Sequence, residues 1–393
     1  MSTTTGLPAN IDDELLARAA ALSADFTSRA AQHDRDASFP FENFDALRDA
    51  GLLNLTIPIE FGGLSASLTT VCRVIEAIGG GDPSTALVLS MHYLGHATLA
   101  RERRWDPDIY ERMCHESVQG IALLAPLRVE PELGTPARGG LPETVATRCT
   151  DGWHLTGHKI YATGSPIVRY FNTWGRTADD PPLLGRFLVP RDAPGMRVVE
   201  TWDHLGMRAS GSHDILFEDA LLPLEYAVDL RPPAAWAGGQ DRSTAGWNEL
   251  VISSLYHGVA AAARDWLVQY LNERVPSNLG APLASLPRFQ AAMGEIQALL
   301  YASERLIYTC AADIDSGSGD SGRQAPIVKY HTTTNGIRAV DIMLSLTGNP
   351  GLMRRHPLER YHRDILCSRI HTPQDDTILL NAGKAALAPP PQQ

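Results

Sequence analysis

Asp151-Gly152-Trp153-His154-Leu155-Thr156-Gly157-His158-Lys159-Ile160-Tyr161-Ala162-Thr163 is the stretch from which the fold is read. Asp151-Gly152 is a hairpin-type turn, because both residue types accept the positive φ that tight strand connections demand. It joins Ala146-Thr147-Arg148-Cys149 to the run that opens at Trp153. Similar short runs follow between Gly, Pro and Asp, among them Arg186-Phe187-Leu188-Val189 and Asp214-Ile215-Leu216-Phe217. Several such runs between turn signals predict a β-barrel or sandwich over 119–225.

Outside that window the texture is helical. Leu15, Leu16, Ala19, Ala20 and Leu22 recur at helical spacing, as do Phe44, Leu47, Leu52 and Leu53 after Pro40. Ile57-Pro58-Ile59-Glu60-Phe61-Gly62-Gly63-Leu64 interrupts the pattern, since Pro and a Gly pair do not sit inside a helix. Ser84, after a Gly-rich break, is read as the N-cap of the next helix. The helical pattern returns near Trp247 and holds to Leu387, with a polar connector over 316–322 and a tail, 389–393, expected to fray. The order predicts an α+β chain of three domains: helical over 1–118, β over 119–225, and a helical bundle over 226–393.

Composition narrows the function. The 393 residues hold 34 Lys and Arg against 45 Asp and Glu, a net charge of −11. Binding a phosphate backbone needs clustered cations, so no nucleic-acid partner is expected. Five widely spaced cysteines form no C-x-x-C pair; they are read as reduced thiols of a cytoplasmic protein, with no metal site. Residues 1–7 lack the basic start of a secretion signal. No apolar run approaches the roughly 20 residues that span a bilayer, so no membrane partner is expected.

Five motifs, in order along nearly the whole chain, resemble those of the acyl-CoA dehydrogenase superfamily of flavoproteins. They are the 57–64 turn, the 151–163 hairpin, Leu205-Gly206-Met207-Arg208-Ala209-Ser210-Gly211-Ser212, an Arg and a Gln at Arg274 and Gln290, and Arg360-Tyr361-His362-Arg363-Asp364. The resemblance implies a helical N-terminal domain, a central β domain and a C-terminal four-helix bundle. It implies a flavin, FAD or FMN, with Thr163 and Gly164 facing its N5 edge and Tyr161 against the ring. Arg274 and Gln290 would meet the flavin pyrophosphate of a neighbouring subunit in a homotetramer. The family's E-P-x-A-G-S-D loop is not reproduced between Ala125 and Pro136, so no residue is carried over from it.

The proton-abstracting carboxylate of the dehydrogenases is missing. Most relatives place a Glu eight residues after the Asp of R-D; counting from Asp364 gives Thr372, in Ile370-His371-Thr372-Pro373. Other branches use a helical position matched here by Asn248, with Glu249 about 100° further round the helix. His371, one step before the empty position, resembles the reduced-flavin monooxygenase branch that includes dibenzothiophene monooxygenase, as does His92 on the substrate side. That branch implies a C4a-(hydro)peroxyflavin formed with O₂, transfer of oxygen to a small molecule, and a separate NAD(P)H-flavin reductase. An imidazole suits such proton traffic near neutral pH. Two alternatives stand beside it: an acyl-CoA or acyl-carrier dehydrogenase with a displaced base such as Glu249, and a non-catalytic flavin-fold binding protein. Asp375-Asp376 is read as a helix N-cap.

Overall fold

In a computed structural model, residues 9–133, 140–236, 244–317 and 321–388 are described; the tail 389–393 and the centre of the 316–322 connector lie outside the described residues. The N-terminal periodicity becomes five helices: α1 (Ala9–Asp36), α2 (Phe41–Asp49), α3 (Leu68–Gly81), α4 (Pro83–Glu102) and α5 (Pro107–Gln119). The cap of α4 is Asp82, not Ser84: its carboxylate accepts from the amides of Ser84 and Thr85, each at 3.3 Å. The reason is local. Pro83 keeps the residue before it extended, so the helix starts at the proline, which has no N–H to lose. Between α2 and α3 the 57–64 turn closes as read: Gly62 takes φ +89°, and a Cβ on Gly63 would lie 2.2 Å from the Ile57 carbonyl oxygen.

Eight strands follow: β1 (Leu124–Leu127), β2 (Val145–Arg148), β3 (Trp153–Ala162), β4 (Tyr170–Thr177), β5 (Leu184–Pro190), β6 (Met196–Val199), β7 (His213–Leu222) and β8 (Ala227–Arg231). They form one sheet in the order β6-β7-β3-β2-β4-β5-β8, with β1 parallel to β4. The hairpin holds, with Arg148 opposite Trp153 and the Cys149 amide bonded to the Gly152 carbonyl at 2.9 Å. Strand structure runs past the expected boundary at 225, because β8 still pairs with β5, Leu184 opposite Arg231. Lys159 of β3 points into this domain, fully buried, and meets Glu130 at 2.7 Å. Glu130 also accepts from the Thr144 amide and hydroxyl and from the Glu143 amide. Burial works against its charge, but Lys159 and these donors hold the carboxyl below its usual range.

The C-terminal part comprises α6 (Trp247–Glu273), α7 (Pro287–Asp315), α8 (Ser321–Thr347), α9 (Leu358–Leu366) and α10 (Asp375–Leu387). Helix α6 is the axis of the molecule: it packs on α3, α4, α7, α8 and α9, and its first half is almost wholly buried. At α10 the cap position is Gln374, with Asp375 and Asp376 in the first turn, where negative charge still meets the positive end of the helix dipole. All five cysteines are free, three of them buried.

Removing one partner of a buried ion pair leaves the other charge uncompensated. Glu130→Ala is therefore expected to cost about 3–5 kcal/mol of stability, read as a fall in urea midpoint, and to leave the helical domains' far-UV signal intact.

Candidate functional site

The hairpin end carries the first part of the site. Thr163 follows β3, and its hydroxyl accepts from Ser212 Oγ at 3.2 Å, leaving its own proton uncommitted. Ser212 in turn meets Ser210 at 2.8 Å, and the Gly164 amide donates to the Ser210 carbonyl at 3.0 Å. Gly164 has φ +75° and a Cβ there would lie 2.6 Å from Val88 of α4, so only glycine lets the turn rest on that helix. Tyr161 holds φ +61°, a costly conformation for a bulky residue, and leaves its ring half exposed. Beside it Trp202 and His204 stack at 3.7 Å, and Tyr161 meets both edge-on.

This aromatic shelf is docked onto the bundle. The Met207 amide donates to Asp364 at 2.7 Å, Arg363 Nη1 donates to the Leu205 carbonyl at 2.9 Å, and Arg363 grips Asp34 of α1 through both oxygens at 2.8 and 2.6 Å. A Cβ on Gly206 would lie 2.4 Å from the Arg363 carbonyl oxygen. Burial pushes the Asp364 carboxyl up to about 7.

Helix α9 leads through a 3-10 turn, Cys367–Ile370, to the loop that carries His371. Three side chains hold that loop. Asn248 Nδ2 donates to the Thr372 carbonyl at 2.8 Å, Lys329 Nζ to the Pro373 carbonyl at 2.9 Å, and Tyr256 Oη meets His371 Nε2 at 2.7 Å. Among the described residues His371 Nδ1 has no hydrogen-bond partner. Burial, helped by the nearby Lys329 charge, lowers the His371 pKa to about 4, so the ring is neutral at pH 7. Lys329 is itself fully buried, and Tyr256 and Lys329 are functional candidates that the sequence reading did not single out.

The remaining expected residues fall elsewhere. His92 is buried, with Nε2 at 3.0 Å from the Leu53 carbonyl and Nδ1 accepting from the Leu124 amide at 3.1 Å. Both ring nitrogens are thus spent on backbone, and the residue rivets the 3-10 turn at Leu52–Asn54 to β1 rather than facing substrate. Asn248 faces the His371 loop, whereas Glu249 is buried with Oε2 unpartnered and feels Lys329. Burial raises its pKa. Arg274, at the end of α6, and Gln290, in the first turn of α7, are both exposed and lie at the same end of the bundle. Among the described residues no cluster of His, Cys, Asp or Glu could hold a metal.

The His371 shift has a sign. A ring with a pKa of about 4 when folded and 6.5 when unfolded binds fewer protons in the native state between those values. Its contribution is therefore complete above pH 6.5 and lost as pH falls towards 4. Wild type should lose more stability than His371→Gln between pH 7 and 4.5 in urea titrations. Equal losses would mean that the ring charges freely.

Comparison with known proteins agrees with this architecture. Three profiles match in order: acyl-CoA dehydrogenase, N-terminal domain, over 13–102; middle domain, over 129–220; and C-terminal domain, over 242–386. YdbM of Bacillus subtilis (strain 168) is 31% identical over 91% of this chain and 92% of its own. The amino sugar nitrososynthase DnmZ of Streptomyces peucetius is 30% identical over 85% of this chain and 82% of its own. The structure of KijD3 in complex with FMN and dTDP-3-amino-2,3,6-trideoxy-4-keto-3-methyl-D-glucose superposes with a TM-score of 0.84 at 30% identity, covering 98% and 97% of the two chains. By fold, by the order of its motifs and by similarity over almost its full length, the chain belongs to the acyl-CoA dehydrogenase family.

Proposed function

We propose that this protein is a reduced-flavin-dependent monooxygenase acting on a small molecule, with an amine as the oxygen acceptor. The observation that carries the proposal is the His371 loop. It presents a neutral imidazole whose Nδ1 is uncommitted, while the one acidic side chain beside Asn248 is turned into the bundle next to Lys329. A dehydrogenase needs a carboxylate within reach of a carbon-bound proton; Glu249 is turned away from the loop, and Asp375, the acid that follows it, stands in the first turn of α10 near Lys329. DnmZ, named for nitrososynthesis on an amino sugar, and KijD3, seen with FMN and an aminodeoxysugar nucleotide, support the amine.

The hairpin end fits a flavin. The half-exposed Tyr161 ring, braced edge-on by Trp202, offers an apolar face, and near it stands a hydroxyl, Thr163, with a proton to give to a ring nitrogen. FMN or FAD, when reduced, supplies the electrons that activate O₂. The chain supplies the rest. Thr163 and Gly164 fix the ring edge, the shelf excludes water from one side, and His371 moves a proton at Nδ1. Tyr256 makes that possible in both directions. Its hydroxyl can donate to Nε2 or accept from it, so Nδ1 can present either a proton or a lone pair. His92 has both ring nitrogens committed to backbone, its proton held on the Leu53 carbonyl.

Arg274 and Gln290, both exposed, would meet the pyrophosphate of a neighbour's flavin, Gln290 while its Nε2 donates to the Ala284 carbonyl at 3.0 Å; this makes a homotetramer part of the proposal, as is a separate NAD(P)H-flavin reductase. Among the described residues no helix is long and apolar enough to cross a membrane, and free thiols fit our placement in the cytoplasm.

With chemically reduced FMN or FAD, O₂ and an amino sugar, the product should gain one oxygen atom by mass. His371→Gln should lower that product about 10²–10⁴-fold while flavin oxidation to hydrogen peroxide continues, and Tyr256→Phe should flatten the pH profile. Bleaching of oxidised flavin by an acyl-CoA under argon would instead assign a dehydrogenase, turnover unchanged in both variants would move the site away from His371, and flavin binding with no turnover of either kind would leave a binding protein.

A further inference from the structure

A hollow of about 220 Å³ lies between the second half of α1 and the start of α9. Arg35, Arg354, Arg355 and Arg360 line it, on a chain whose net charge is −11. Its two acids, Asp34 and Glu359, are both spoken for: Arg363 bonds both oxygens of Asp34 and both of Glu359, at 2.6 to 3.2 Å. Four guanidiniums therefore line the hollow, while its two carboxylates are already paired with a fifth, Arg363. Arg354 and Arg355 are exposed and have no partner among the described residues.

Two further features aim this charge inward. Arg360 is buried to 5% exposure over the Tyr361 ring and feels Asp364, yet its Nε makes no hydrogen bond, a buried donor that a ligand can complete. The first turn of α9 also opens here. Pro357 occupies its cap position and no side chain caps it, so the positive end of the helix dipole faces the hollow. Guanidinium forks and a helix N-terminus are the two protein devices that best match phosphate oxygens.

We propose that this hollow binds a phosphate-bearing anion, at a site separate from the flavin shelf. Its volume is below the roughly 300 Å³ at which sites for drug-sized ligands begin, so it takes a phosphate or diphosphate group, not a whole nucleotide. The occupant is either free phosphate or the end of a larger phosphorylated molecule whose remainder lies outside. The position matters because Asp34 belongs both to the hollow and to the grip on Arg363, which holds the Leu205 carbonyl at the shelf. An anion that recruits Arg360 and Arg355 bears on the same clamp that docks the shelf.

The test is calorimetric titration of inorganic phosphate and pyrophosphate into the full-length protein as purified, at low ionic strength, where unscreened charge is read most strongly. Wild type should bind one anion per chain, and Arg354→Ala/Arg355→Ala, altered only at exposed positions, should bind at least ten-fold more weakly while keeping its flavin affinity. Tighter pyrophosphate would mark a diphosphate-bearing ligand and equal affinities a single phosphate; both support the site. No saturable binding, equal binding by the variant, or a parallel loss of flavin by the variant would overturn it. None of these results bears on the oxygenase reading, which stands on His371.

Discussion

The grip of Arg363 on Asp34 is the interaction on which the rest of the site depends. One guanidinium on α9, braced by Glu359 one turn earlier, joins that helix to two segments that are remote in sequence: α1 through Asp34 and the shelf through the Leu205 carbonyl. Its neighbour Asp364 adds the Met207 amide. Each contact alone would contribute about 1.5–3 kcal/mol, as hydrogen bonds to charged groups do. Together they do what no single domain can, since the hairpin end belongs to the sheet and the His371 loop to the bundle. A planar fork with fixed donors is suited to this task, and lysine would not replace it.

From that anchor the site follows by short steps along the chain. Asp364 is in the last turn of α9, and the 3-10 turn after it delivers His371 against Tyr256 of α6. On the other side, Met207 leads through Ser210 and Ser212 to Thr163. Helix α6 presents Asn248 and Tyr256 to the loop and turns Glu249 away from it, because successive residues turn by about 100°. On the proposed function, this divergence is what separates an oxygenase from a dehydrogenase. The residue facing the loop is an amide, and the carboxylate next to it lies inside, where burial holds it towards its neutral form.

How much of this could be read from the residues alone divides along physical lines. The hairpin was legible because Asp151-Gly152 and the alternation after Trp153 are local signals, and the 57–64 turn because its glycines answer a local steric demand. The cap at Asp82 was misread by two residues, since Pro83 moves the helix start. The role of His92 was not legible: its partners, Leu53 and Leu124, are far along the chain in both directions, and no spacing rule points to backbone atoms. Lys329 and Tyr256 were missed for the same reason. One signal was present, however. The chain has only three lysines, Lys159, Lys329 and Lys384, among its 34 basic residues, and two of the three are fully buried. A cation type so rare in an arginine-rich chain marks positions where a compact ammonium on a flexible stem is needed.

The central claim is that an imidazole, and no carboxylate, shares the space next to the flavin ring. A crystal structure of the protein with FMN or FAD bound tests it most directly. The account predicts the ring against Tyr161 and Trp202, the Thr163 hydroxyl within hydrogen-bond distance of a ring nitrogen, and His371 Nδ1 opening onto the same space. A ring bound elsewhere, or Glu249 swung out to face its reactive edge in place of His371, would contradict it.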